Sequence, residues 1–295
     1  MRKKIITFAL AAAMIVGIFS VDNVTARATD GNGIAAESAV SGGNLVYGWN
    51  QINNKIYFVD GNGNFLTGRH LSNGTWYEFG NDGALVSQNM NLGIDVSAHQ
   101  KDIDWKAVKK AGVEFAIIRV GFRGYESGKI VADSYFAKNI KEAIDAGLRV
   151  GVYFFSSATN EVEAVEEAAH AVALINNAGC AGKLSLPIYI DIEGSGTGKG
   201  RADGLSKDKY TSIASFFCMA VSQAGYRAGV YSNTKWLSNH IDGASLVNEG
   251  YDLWVAQYND KVTYTQAPYG TWQYSSKASI PGIKGNVDVN LGLVY

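Results

Sequence analysis

From Asn91 onward, short apolar runs alternate with longer segments of helical periodicity, and this alternation restricts the fold more than any other feature of the chain. Leu92 to Val96, Phe115 to Val120, Arg149 to Phe155, Leu186 to Ile192 and Arg227 to Tyr231 are of strand length and rich in Val, Ile and aromatic residues. Between them, Trp105 to Ala111 is predicted helical, with Asp104 as cap and Gly112 as stop. A second helix spans Asp133 to Ala146 and stops at Gly147. A third opens at Asn160, with Glu163 as its capping-box partner, and closes at Gly179. A fourth runs from its cap, Ser206, to Ala224 and Gly225. Strands and helices in such alternation imply a parallel sheet with right-handed crossovers. The last quarter differs. Leu253 to Tyr258, Thr271 to Tyr274 and Val287 to Leu291 read as strands, but only Thr234 to Ile241 suggests a helix among them. Eight strands imply an α/β fold closed as a TIM-like barrel over residues 91–295: five βα units, then three strands, irregular on one side.

The fourth strand ends in Asp191 and Glu193. Residues two apart on a strand share a face, roughly 6 to 7 Å apart, so these acids enter one pocket. Like charges that close push one pKa upward, leaving a protonated acid beside an ionised partner, the division of labour that glycoside hydrolysis needs. The run before them is too apolar for an exposed edge and suits a strand covered on both faces. Barrel active sites form at the C-terminal ends of the strands. Standing there by sequence are Asp95 on the first strand, Tyr153 and Phe155 on the third, and Tyr231 on the fifth. The sixth offers Trp254 and Tyr258, the seventh Gln273, and the eighth Asp288. Acids ringed by aromatics suit a sugar chain, whose CH faces stack on rings while its hydroxyls bond to carboxylates.

The N-terminus has another character. Met1-Arg2-Lys3-Lys4 is basic, Ile5 to Val21 is apolar, and Ala26-Arg27-Ala28 is an A-x-A site, so residues 1–28 read as a secretory signal peptide. The apolar run is shorter than a membrane span needs, and stable membrane insertion is not expected. Removing residues 1–28 takes four basic residues and one acid, moving the net charge from −1 to −4; with no basic block, nucleic acid is not an expected partner. The two cysteines, Cys180 and Cys218, form one bridge or none. Residues 29–45, rich in Gly, Ala, Ser and Asn, read as a flexible leader. Over 46–88 a plan repeats after about 19 to 20 residues: paired aromatics (Trp49, Tyr57 and Phe58, then Trp76 and Tyr77) with Asn/Asp-Gly turns, each copy a β-hairpin. The pattern resembles the cell-wall-binding repeats of choline- and glucan-binding proteins, which implies contact with cell-wall polymers. Two copies equally suit a spacer, since solenoid arrays need three or more.

The ordered segments Gly93-Ile94-Asp95-Val96-Ser97, Gln100 with Ile103-Asp104-Trp105, Phe115 to Gly121, Gly151 to Phe155, Tyr189 to Glu193, Gly229 to Ser232, Leu253 to Tyr258, Trp272-Gln273-Tyr274 and Val287 to Asn290 resemble the glycoside hydrolase family 25 muramidases over residues 91–295. The resemblance implies a secreted, wall-associated enzyme that cleaves the β-1,4 bond between N-acetylmuramic acid and N-acetylglucosamine in peptidoglycan glycan strands. Glu193 would be its general acid, Asp191 the partner carboxylate, and Asp95 and Asp288 further active-site acids. One departure is Lys101, where the family commonly has Gly. No cofactor is implied, and His70, His99, His170 and His240 lack metal-ligand spacing. A chitinase-type DxxDxDxE is ruled out because Tyr189 replaces the middle Asp, and Gly194 to Gly200 lacks phosphate-loop spacing and reads as a mobile loop over the cleft. The non-enzymatic alternative is a cell-wall adhesin that binds glycan without cutting it.

Overall fold

The computed structural model of the protein describes residues 24–29, 35–40, 48–52, 55–60, 63–72, 75–87, 91–259 and 262–292; most of the expected leader peptide lies outside these, as do the side chains of Trp49 and Trp76. The chain divides into two compact units, Met1–Asn89 and Met90–Tyr295.

In the first unit Gly48–Ile52 pairs antiparallel with Lys55–Val59, with Trp49 opposite Phe58, and Gly68–Ser72 pairs with Thr75–Phe79, to which Leu85–Ser87 adds a third strand. The two expected hairpins are therefore present. Tyr57 is 8% exposed and packs its ring 4.6 Å from Phe65, in a small core with Val59 and Ala84. Part of the span read as a flexible leader is paired strand, Ala35–Val40 lying antiparallel to Val24–Thr29.

The second unit is a closed barrel. Its strands are β1 (Asn91–Val96), β2 (Phe115–Arg123), β3 (Arg149–Phe155), β4 (Ile188–Asp191), β5 (Ala228–Asn233), β6 (Asp252–Ala256), β7 (Thr271–Ala278) and β8 (Val287–Gly292). Neighbours pair in sequence order and β1 closes on β8, with a short strand, Ile130–Ala132, antiparallel on the outer edge of β2. From β1 to β7 all pairings are parallel, whereas β8 runs antiparallel to both β7 and β1. Outside lie α1 (Trp105–Lys110), α2 (Phe136–Asp145), α3 (Glu161–Asn177), α4 (Lys207–Gln223), α5 (Thr234–Asn239) and α6 (Gly243–Asn248). The sequence did not point to α6, a six-residue helix that opens on a glycine and is held by its cap, the Asp242 carboxylate accepting from Ser245 N.

Period-two alternation sorts the side chains. On β2, Ala116 and Ile118 face the helices while Phe115 and Ile117 fill the interior; on β4, Ile188 and Ile190 face out and Tyr189 faces in, so Asp191 shares the interior face. The Phe115 ring occupies space cleared by two glycines, for a Cβ at Gly93 would lie 2.1 Å from it and one at Gly292 2.7 Å. Cys180 and Cys218 are both buried free thiols, so no bridge forms between them. Lys101 is the one described non-glycine with positive φ, at φ 56° and ψ −130°. Among the described residues no helix is long and apolar enough to cross a membrane.

Candidate active site

Asp191 is the last residue of β4, aligned with Phe155 on β3 and Tyr231 on β5. Glu193 follows just beyond the strand. The backbone between them is pinned on both sides: Ile192 N donates to Tyr231 O at 3.1 Å, and Ser232 Oγ donates to Ile192 O at 2.6 Å. The strand register thus continues into Glu193. Asp191 is 4% exposed, and its Oδ1 has no hydrogen-bond partner among the described residues.

Across the barrel mouth Asp95, near the end of β1, is aligned with Asp288, the second residue of β8. Sequence reasoning put Asp288 at a C-terminal strand end; it stands at an N-terminal one, and the reversal of β8 brings it to the site. Only eight residues, 279–286, link β7 to β8. A parallel crossover needs a dozen or more; with the seventh strand read as ending at Tyr274 the link counted twelve, so the reversal left no mark in the sequence.

Gln273 of β7 joins the two acids. Its Nε2 donates to Asp95 Oδ2 at 2.9 Å and to Asp288 Oδ2 at 3.3 Å, and its Oε1 accepts from Tyr231 Oη at 2.9 Å and Tyr258 Oη at 3.2 Å. Asn290 Nδ2 donates to the same Asp95 Oδ2 at 2.8 Å, and Trp254 Nε1 donates to Asn290 Oδ1 at 2.8 Å. Every polar atom of these two amides faces a complementary partner, which fixes the orientation of both.

The electrostatics follow from burial. Asp95 is pushed up to about 8, by desolvation first and then by the charge of Asp288, against the amide donors Asn290 and Gln273. Burial, then the charge of Glu193, raises Asp191 well above the carboxylate range. Burial also raises Glu193, opposed by its hydrogen bond with Asp191, and raises Asp288, opposed by its bond with Asp95. The mouth therefore holds two acid pairs, each able to retain a shared proton near neutral pH. Arg119 on β2 opposes the rise at Asp191 and is itself held at 2.8 Å by Asp133.

A strand-end carboxyl pair thus faces a second pair across an aromatic-lined mouth. The sequence pattern of glycosyl hydrolases family 25 matches residues 94–283. The chain belongs to glycosyl hydrolase family 25. It is 26% identical over 198 residues to the autolytic lysozyme of Clostridium acetobutylicum, covering 67% of this chain and 54% of that protein. To lysozyme M1 of Streptomyces globisporus it is 28% identical over 204 residues, covering 67% and 66%. The chain thus spans about half to two thirds of the length of these relatives. Its fold is also that of the modular autolysin LytC from Streptococcus pneumoniae, solved in complex with a synthetic peptidoglycan ligand, with a TM-score of 0.61, 24% identity, and coverage of 92% of this chain and 72% of that one.

Within this family 25 barrel the expected aromatics divide by depth. Trp254, 1% exposed, and Tyr231, 7% exposed, lie with ring centroids 4.3 Å apart, tilted by 57°, as the floor, with Tyr153 edge-on to Trp254 at 5.9 Å. Trp254 Nε1 and Tyr231 Oη hold Asn290 and Gln273 from beneath, whereas Phe155 is half-buried and Tyr258 is 60% exposed. Sequence reasoning passed over three participants. Asn290 was legible, being two residues from Asp288 on the same face; Arg119 and Tyr125 carried no such signal. Tyr125, beyond β2, meets Phe155 edge-on at 5.4 Å, and its hydroxyl is pushed up to about 12 by burial and then by the charges of Glu193 and Asp191. The glycine-rich loop read as mobile is tied down: the Asp203 carboxylate accepts from Ser195 N at 3.0 Å, Ser195 Oγ at 2.5 Å and Gly200 N at 2.8 Å. Among the described residues no cluster of His, Cys, Asp and Glu is arranged to hold a metal ion.

Proposed function

We propose that the barrel hydrolyses the β-1,4 bond between N-acetylmuramic acid and N-acetylglucosamine in peptidoglycan. Glu193 acts as general acid and Asp191 as its partner carboxylate. The observation that carries this reading is the pair itself: two carboxyls on the interior face of β4, one deep and one at the rim, both raised by burial. In the free protein the two carboxyls, both raised by burial, hold one proton between them. A sugar acetamido N–H brought against Asp191 favours its ionised form and passes the proton to Glu193, which delivers it to the glycosidic oxygen as the bond breaks. Ionised Asp191 then stabilises the oxocarbenium-like state, and hydrolysis is completed as water adds at the anomeric carbon and gives up a proton to a carboxylate of the site. Asp95 and Asp288, held by Gln273 and Asn290, orient the glycan.

The family and the lysozymes it resembles support peptidoglycan as substrate. The basic and apolar N-terminus supports export to the cell wall, and the hairpins over 46–88 suit a weak wall binder that raises local substrate concentration. The deciding experiment is mass spectrometry of fragments released from purified peptidoglycan. New reducing ends on muramic acid support the proposal; release of stem peptides alone, without new reducing sugar, refutes it. A chain starting near residue 90 is expected to cut soluble glycan strands normally but sediment less with intact walls; equal sedimentation would make the hairpins a spacer.

A further inference from the structure

Two loops meet near the acids: the tip between β2 and Ile130–Ala132, which holds Tyr125, and the loop over 194–204 that follows Glu193. The second is tied through Arg201 to Glu163 at the start of α3. Arg201, in the second loop, donates its backbone N–H to Tyr125 O at 2.9 Å. Its guanidinium donates Nη1 to Glu163 Oε2 at 2.8 Å and Nη2 to Glu163 Oε1 at 2.7 Å, with a further bond from Nη1 to Ser157 O at 2.9 Å. The same guanidinium lies against the tip, since a Cβ at Gly128 would sit 3.2 Å from Arg201 Cζ. Glu163 is the residue expected to complete a capping box with Asn160. Asn160 Oδ1 does accept from Glu163 N at 3.1 Å, but the Glu163 carboxylate turns instead to Thr159 N at 2.8 Å and to Arg201. Two parallel N–H···O bonds between planar charged groups fix both distance and direction. At the far end of this chain of contacts stands the Tyr125 ring, against Phe155, whose strand position is aligned with Asp191.

We propose that Tyr125 is a glycan-contacting wall of the cleft and that the Arg201–Glu163 pair is the clamp that positions it, together with the loop following Glu193. This rests on the muramidase reading above. Tyr125 meets the saccharide directly; Glu163 and Arg201 act through it as positioning residues. A second ion pair supplies the contrast. Glu161, in the same turn of α3, bonds Lys209 Nζ at 2.9 Å on α4, remote from Tyr125 in the bonding network.

The test uses the full chain carrying Glu193→Gln, so that glycan is bound but not cut, and measures by calorimetry its affinity for soluble peptidoglycan strands stripped of peptide. Adding Tyr125→Ala or Glu163→Gln is expected to weaken binding by about tenfold each, the loss of one aromatic contact from a ring that is 37% exposed in the free protein. Adding both should weaken it no further than the worse single change, because they remove one wall. Glu161→Gln should leave affinity unchanged. In the active enzyme the same substitutions should raise KM by a similar factor while kcat stays within about threefold. Unchanged affinity in either single variant, multiplying losses in the double, or an equal loss from Glu161→Gln overturns the clamp. If the wild type releases muramic acid ends while these affinities do not move, the clamp alone fails. If the parent variant binds no strands and the wild type releases none, both readings fall.

Discussion

Replacing Gly93 by Ala tests how the barrel interior sets the position of Asp95. The new Cβ would stand 2.1, 2.2 and 2.4 Å from Cζ, Cε2 and Cε1 of Phe115. Carbon atoms pack at about 3.5 to 4.0 Å, so the ring would have to retreat by more than 1 Å. It has little room to retreat: Phe115 is 1% exposed, and Gly292 lies against the same ring edge, where a Cβ would stand 2.7 Å from Cε1 and 2.9 Å from Cζ. The cost is therefore set near the top of the usual overpacking range, about 3 kcal/mol. For a barrel of this size that lowers the calorimetric Tm of its transition by roughly 6 to 12 °C. Activity should fall as well, because Gly93 is aligned with Asn290, and a displaced β1 separates Asn290 from Asp95. Phe115→Ala alone should cost about 3 to 5 kcal/mol through the cavity it leaves. The double variant is the decisive measurement. The methyl added at position 93 then enters the cavity, and the combined loss should not exceed that of Phe115→Ala, a coupling of about 2 to 3 kcal/mol. A Gly93→Ala protein melting within about 2 °C of wild type, or additive losses in the double, would refute the reasoning.

Three further outcomes are expected. Glu193→Gln should fold normally and lose roughly 10²-fold to 10⁴-fold in turnover, the usual worth of general acid catalysis; retention of more than about a tenth of the wild-type rate would exclude the assignment. Asp95, raised to about 8, keeps in the folded state a proton that the unfolded chain gives up near pH 4. Its contribution to stability is thus full below about pH 4 and lost as pH rises through 8, so urea midpoints at pH 5 and pH 8 should differ less for Asp95→Asn than for wild type, and equal differences would count against the shift. Lys101→Gly should relieve about 1 to 3 kcal/mol of backbone strain at φ 56° while adding about 0.5 to 1 of chain entropy, raising Tm by roughly 2 to 4 °C; a drop would show that Lys101 makes a compensating contact.

The strands β1 to β5 and the pairing of Asp191 with Glu193 were legible because period and burial both leave marks in a local window. Val, Ile and aromatic runs set the strands, and parity alone then placed both acids on one face. What escaped depends on non-local partners. Asp133 was expected to begin a helix; its carboxylate instead accepts from Arg119 Nε and from Ala98 N, both distant in sequence. Glu163 fits a capping box by spacing, and its diversion to Arg201 needs a partner 38 residues away. The same holds at Arg123, 5% exposed at the end of β2, whose Nε bonds the fully buried Glu167 of α3 at 2.7 Å across 44 residues. Burial pushes Glu167 up to about 7, against the pull of Ser156 and Arg123. Trp254 and Tyr231 illustrate the other blind spot. Sequence names an aromatic near a strand end, but only packing decides how deeply it is buried.

The reversal of β8 has one more consequence. Because this strand starts at the mouth beside Asp95 and ends with Gly292 paired to Asn91, the barrel takes in its chain and releases it at adjacent positions on the face opposite the acids. An all-parallel barrel would discharge its last strand at the mouth, where any appended segment would compete with substrate for room. Here residues 91 and 292 both stand at the end of the barrel away from the acids. The barrel is therefore suited to modular fusion on both sides, and also to circular permutation through a short link joining residue 292 to residue 91.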